Sequence, residues 1–314
     1  MRGPGVLVVL AACGGAPESP AHLEEVGDIP DIFQEIPAAF DANDALVLMD
    51  GNTGLRRLAG DRLVTIPNGS QFSFGTIGID RDGALLLGSS STGQLARLEA
   101  NDIITFIEPT PPQTFSRSAG VPSGAYHLVV PSAVTTLTLP AGGVAWEDST
   151  RSLDRTLRAP DGTIYAIENG DVVRLEADDS ATPLASCAEI AGGTCPDLEL
   201  AGVDANNHVH LALPGEQSVY VLDPSAGSLA EITLPGSIEV ADLVTGATNG
   251  LVIGSDPDRN DERSLWLLEN GSTQLLRFAT LGNPNVIGFT QLLADRAGRT
   301  YVLAQGKLQV VVID

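Results

Sequence analysis

The stretch "APDGTIYAIENGDVVRLEA", residues Ala159–Ala177, decides the fold. It reads as a small turn, a hydrophobic strand, a second turn at Asn169-Gly170, and a second strand ending on basic and aliphatic residues. The same pattern recurs along the chain. "DANDALVL" starts at Asp41, "DRDGALLL" at Asp80, "VPSGAYHLVV" at Val121, "DANNHVHLAL" at Asp204, "ATNGLVIG" at Ala247 and "DRAGRTYVLA" at Asp295. Aligned, they put Asp44, Gly83, Gly124, Gly162, Asn207, Gly250 and Gly298 in one column, spaced 39, 41, 38, 45, 43 and 48 residues apart. Gly, Asn and Asp tolerate positive φ, so the column predicts a two-residue hairpin turn in each unit.

Each unit reads as four short strands. In the second they are "FGTIGID", "GALLLGS", "GQLARLEA" and "DIITFIE". Alternation is partial, as expected of sheets buried on both faces. A four-stranded repeat of about 40 residues describes a β-propeller blade, which cannot bury its faces until a ring of them closes. The expected fold class is all-β, a seven-bladed propeller, with six or eight blades if one unit is misread. The third unit is the weakest, because "PSAVTTLTLPAGGVAWEDS" lacks a clear third strand. The seventh unit supplies three strands and ends at Asp314, so "PDIFQEI", residues 30–36, is the expected latch that completes the last blade. Thirty-four Gly and twenty Pro suit many tight turns, and with only 4% aromatic residues the core must come from Val, Leu, Ile and Ala.

The pattern resembles the NHL, streptogramin-lyase and SMP-30-like propeller superfamily, and "GVDANNHVHLALPGEQSVYVLDPSAGSLAEITLPG" resembles the YVTN type of repeat. No blade carries the GH…WD pair of WD40 proteins or the doubled glycines of kelch. The resemblance implies a fold, and the fold hosts many activities. It also implies that a ligand would sit at the mouth of the central channel, and that SMP-30-like enzymes use acidic and amide side chains around one divalent metal.

The opening "MRGPGVLVVLAACGG" has one basic residue, a short apolar run and Leu10-Ala11-Ala12-Cys13. This resembles the bacterial lipobox, in which the cysteine is lipidated and becomes the mature N-terminus. Residues 1–12 are then a signal peptide, 13–30 a Gly/Pro/Glu-rich flexible tether, and 31–314 the propeller. Gly14 after the cysteine favours, by resemblance to Gram-negative lipoproteins, the outer membrane. The expected location is the cell envelope, lipid-anchored and facing the periplasm or the surface. Cys187 and Cys195 remain as a pair that an exported compartment would oxidise to a disulfide; two independent buried thiols are the alternative.

Forty acids against seventeen bases give a net charge of −23, which disfavours nucleic acid and anionic lipid as partners. Lys307, the only lysine, reads as a coding bias without a mechanism. The residue five before each aligned turn gives Ile36, Gly75, Ser116, Asp154, Glu199, Asp242 and Thr290. Three consecutive carboxylates there, Asp154, Glu199 and Asp242, could hold Ca²⁺ or another divalent cation; chance in an acidic chain is the competing reading. Asp256, Asp258 and Asn260 have the spacing of half a calcium loop, but Asp261 stands in place of the turn glycine and Leu267 in place of the bidentate Glu. An acidic solvated hairpin tip is the reading preferred for them. His208 and His210 share one face of a strand and lack a visible third ligand. There is no nucleophile elbow, phosphate loop or CxxC, and no catalytic residue or resident cofactor is assigned.

The reading that follows is a non-catalytic envelope lipoprotein whose propeller binds envelope proteins or glycans. The alternative is a divalent-metal lactone hydrolase or lyase of the SMP-30 or streptogramin-lyase kind.

Overall fold

The computed structural model describes residues 21–29, 37–50, 54–60, 62–69, 75–89, 93–107, 111, 115–130, 135–149, 151, 153–159, 161–191, 198–204, 206–213, 215–233, 239–246, 250–255, 263–269, 275–282, 291–295, 298–304 and 306–313. They form seven four-stranded antiparallel sheets, the blades of a propeller. Blade 1 holds β2 (Ala38–Phe40), β3 (Leu46–Asp50), β4 (Gly54–Ala59) and β5 (Arg62–Thr65). Blade 2 holds β6 (Thr76–Ile79), β7 (Leu85–Gly88), β8 (Leu95–Leu98) and β9 (Ile104–Phe106). Blade 3 holds β10 (Arg117–Gly120), β11 (Tyr126–Val130), β12 (Thr135–Leu139) and β13 (Glu147–Ser149). Blade 4 holds β14 (Leu153–Arg158), β15 (Ile164–Glu168), β16 (Asp171–Leu175) and β17 (Ala181–Ala185), and is followed by the short helix α1 (Cys187–Ala191). Blade 5 holds β18 (Glu199–Val203), β19 (Val209–Ala212), β20 (Ser218–Asp223) and β21 (Ser228–Thr233). Blade 6 holds β22 (Val240–Gly246), β23 (Gly250–Ser255), β24 (Arg263–Leu268) and β25 (Leu275–Gly282).

Blade 7 is built from both ends of the described chain. Its order is β1 (Ala21–Asp28), β28 (Lys307–Ile313), β27 (Thr300–Ala304) and β26 (Gln291–Ala294). A latch exists, as expected, but it is Ala21–Asp28 and not 30–36, which lies outside the described residues. Eight residues assigned to the tether are thus a strand. Their polarity suits an outermost position, and the backbone explains why their period is hidden. The register of β1 against β28 slips between Glu25 and Gly27, so alternation breaks at Val26. Ala21 and Leu23 accordingly pack toward blade 6, whereas Val26 packs toward blade 1. Lys307, far from idle, reaches Glu25 (3.0 Å) and Asp28 of the latch.

Seven hydrophobic clusters hold the ring, one at each blade–blade boundary. Leu46 and Leu48 of blade 1 meet Tyr301, Leu303 and Leu308 of blade 7 and close it. Each boundary buries apolar surface from both neighbours, so a single blade has no core of its own. The third blade, weak in the sequence, is complete: "TTLTL" forms β12 and "EDS" forms β13. Trp146 packs at the boundary of blades 2 and 3, and Trp266 at that of blades 5 and 6.

The aligned turns need one correction. In each of the six described units the first turn residue bonds to the fourth and fifth, as in Asp44 N–H to Asp41 C=O (3.1 Å) and Asp41 N–H to Ala45 C=O (3.1 Å). This is a three-residue loop, a type I turn closed by a residue in the left-handed region, rather than a two-residue turn. The aligned column is that left-handed residue, with φ of 58° at Asp44, 84° at Gly83, 95° at Gly124, 93° at Gly162, 62° at Asn207 and 82° at Gly298.

Candidate functional site

The first strands of successive blades face one another from β2 round to β26, which makes them the inner wall. They enter from the end that also carries the loops between second and third strands, here called the rim, and leave at the aligned turns. The rim is where irregular sequence collects. Between β17 and β18 it carries α1, opened by a capping box: Ser186 N–H donates to Glu189 Oε2 (2.7 Å) and Glu189 N–H to Ser186 Oγ (3.3 Å). Asp171 Oδ1 accepts from Cys187 N–H (2.9 Å), and Cys187, Ile190 and Leu198 dock the insert into the boundary of blades 4 and 5.

The carboxylate column lies at this end. Glu199 is the first residue of β18, opposite Ala212; Asp242 is in β22, opposite Gly254. Asp154 falls in β14 where the register slips between Leu153 and Arg155. The backbone therefore sets the three at the rim ends of adjacent inner strands, as β14 faces β18 and β18 faces β22. The side chains of Asp154 and Asp242 lie outside the described residues. Of the other positions, Gly75 and Ser116 also open inner strands, donating to Gly88 C=O (2.7 Å) and Val129 C=O (2.9 Å). Ile36, Thr290, Asp256, Asp258, Asn260, Cys13 and Cys195 lie outside the described residues. Among the described residues no group of three or more His, Cys, Asp or Glu is arranged to hold a metal.

The opposite end holds a constellation that sequence reasoning missed. Four aligned turns begin with a buried aspartate: Asp41 (2% exposed), Asp80 (4%), Asp204 (4%) and Asp295 (6%). One oxygen caps the turn. Asp41 Oδ1 accepts from Asn43 N–H (2.8 Å) and Ala45 N–H (3.0 Å), and Asp204 Oδ1 from Asn206 N–H (2.8 Å) and His208 N–H (2.9 Å). The other oxygen meets a basic side chain: Arg57 on β4 (2.9 Å), Arg97 on β8 (2.8 Å), His208 (3.0 Å) or Arg299 (2.6 Å). In blades 3 and 4 the same position is Val121 and Ala159, both buried. A buried carboxylate needs hydrogen bonds and a partner, and without them an apolar side chain is the alternative.

These clasps also cross blades. Arg57 pairs with Asp102 of blade 2 (3.0 Å), Arg81 Nη1 donates to Ser123 C=O of blade 3 (3.3 Å), and Ser123 N–H donates to Asp179 of blade 4 (2.8 Å). Burial pushes the Asp80 carboxyl up, against a backbone hydrogen bond from Arg81 and the charge of Arg97. His210 turns toward Asp204 (3.7 Å), and burial, outweighing that attraction, holds its imidazole down at about 4. The His208/His210 pair therefore serves the turn of blade 5. His127, buried between Thr138 (2.9 Å) and the charges of Arg151, Glu168 and Asp179, is held below its usual range for the same reason. The signal in the sequence was an aspartate at the turn start followed 16 or 17 residues later by arginine, as in Asp41/Arg57 and Asp80/Arg97.

No protein-family model matches the chain, and no curated protein matches it. Solved structures do match in fold. A streptogramin B lyase superposes with a TM-score of 0.63 at 8% identity, over 94% of this chain and 98% of that one. YCF48 bound to D1 peptide gives 0.58 at 12% identity, over 95% and 98%. A chain of the mitotic checkpoint complex gives 0.58 at 10% identity, over 100% and 97%. The likeness at these identities is one of architecture, and it spans proteins of unlike function.

Proposed function

We propose that this chain is a non-catalytic lipoprotein of the cell envelope whose propeller is a rigid platform for binding envelope proteins through its rim. The observation that carries the reading is where buried charge is used. Asp41, Asp80, Asp204 and Asp295 hold turns of the scaffold, while the rim carries the connections between blades, including the docked insert at α1. The fold neighbours lend support, since one of them binds a peptide and another works inside a protein complex. Lipidation at Cys13 and export follow from the lipobox, and a Cys187–Cys195 staple follows from export, which would oxidise the even pair of cysteines that lipidation leaves.

Photo-cross-linking in the native envelope tests the platform. A cross-linker at Gln217, in the rim loop after β19, should capture a discrete protein, whereas one at Asp161, in the turn before β15, should not. Capture of carbohydrate alone, or of nothing from the rim, overturns the reading.

A second reading rests on the placement of Asp154, Glu199 and Asp242 at the starts of adjacent inner strands. Carboxylate oxygens suit a hard divalent cation, which would supply Lewis acidity to a lactone hydrolase or lyase. Stoichiometric metal that EDTA removes, with melting lowered and then restored by one ion, would establish it.

A further inference from the structure

We propose that the propeller is held to the bilayer by the outer wall of blade 7, with blades 3 and 4 standing furthest from the membrane. This rests on the lipoprotein reading above and adds the orientation that the fold imposes on it. Two observations carry it. The latch β1 is the outermost strand of blade 7, with Ala21 opposite Ile313. Only seven residues, Gly14–Pro20, separate Cys13 from Ala21.

A leash of that length spans at most about 28 Å when fully extended. A globular body of this size has a radius of gyration of roughly 19 Å and is about 50 Å across. The leash is shorter than the body it holds, so the propeller cannot present every side to the membrane. The wall carrying β1 stays within reach of the lipid. In a ring of seven, the boundary of blades 3 and 4 is opposite blade 7. The wall is held to the ring by Lys307, which pairs with Glu25 and Asp28 of the latch, so the strand that carries the leash is tied to the body it anchors. Partner proteins would then meet the blades that project outward, blades 3 and 4 foremost.

The test uses the full lipidated chain in vesicles of phosphatidylethanolamine and phosphatidylglycerol that carry a headgroup energy acceptor. A fluorescent donor is placed by Thr65→Cys, exposed on β5 beside the latch, or by Val144→Cys, 87% exposed in blade 3. Transfer from position 65 should exceed that from position 144 by about twofold or more, given the two reaches above. Inserting a flexible Gly/Ser leash of about forty residues after Gly15 should erase the difference, which separates tethering from a general affinity of one side for lipid. Matching melting curves confirm that both variants fold. Equal transfer with the native leash, or greater transfer from position 144, overturns the orientation. Labelling with an alkyne fatty acid, with Cys13→Ser as control, separates the two claims: no label removes the lipoprotein reading and the orientation with it, whereas label with equal transfer removes the orientation alone.

Discussion

Asp41 is 2% exposed, yet its side chain makes two turn hydrogen bonds and an ion pair with Arg57. Removing one partner of such a pair strands the other, so Asp41→Ala should cost about 3 kcal/mol in urea unfolding. His210 adds a pH dependence, faced by Asp204 and His208. The unfolded chain takes up a proton near the ordinary value of 6.5, whereas the folded chain resists until about 4. Stability is therefore full above 6.5 and is lost as pH falls toward 4. The urea midpoint should drop across that window, and His210→Gln should shrink the drop, leaving the part of the same sign from His127. At this scale the sequence was half legible. The left-handed column could be read because Gly, Asn and Asp share one backbone property. The buried aspartates beside it are harder to read, because an aspartate in a turn is ordinarily solvated and, in blades 1 and 2, its arginine lies on the third strand.

Among elements, the latch is the sharpest case. A chain beginning at Pro30 lacks β1 and leaves the edge of β28 open, so it should melt well below a chain beginning at Gly14 and self-associate in size-exclusion chromatography. Equal melting would show that closure does not depend on this strand. The segment "AHLEEVGD" looked like linker because its slip at Val26 hides the alternation and its outward residues are charged. Packing between blades makes a second prediction. A Cβ on Gly120 would stand 2.3 Å from Asp80 Oδ1 and 2.9 Å from Asp80 Cα, whereas one on Gly170 meets nothing within 4 Å. Gly120→Ala should therefore destabilise by about 3 kcal/mol, and Gly170→Ala, strained only by its φ of 91°, by about 1 kcal/mol.

For the whole molecule, seven boundaries share the core, and the net charge of −23 works against their closure. Melting temperature should rise as NaCl goes from about 10 mM to about 0.3 M, because screening weakens that self-repulsion. A flat response would mean that local pairs such as Arg57–Asp41 already neutralise it. Blade number and strand order were legible because a repeat reports its own period. The function was not, because what distinguishes one blade from another lies in rim connections that follow no period.

The pairing of Ala21 with Ile313 has a consequence in time. A ribosome makes the first of these residues before nearly all of the propeller and the second after it. The latch strand must therefore be kept from other partners while blades 1 to 6 are made, because its proper neighbour emerges only after them. Among the described strands no pairing joins positions further apart in sequence, and long-range contacts form late. Closure of the ring thus waits on the return of its first strand.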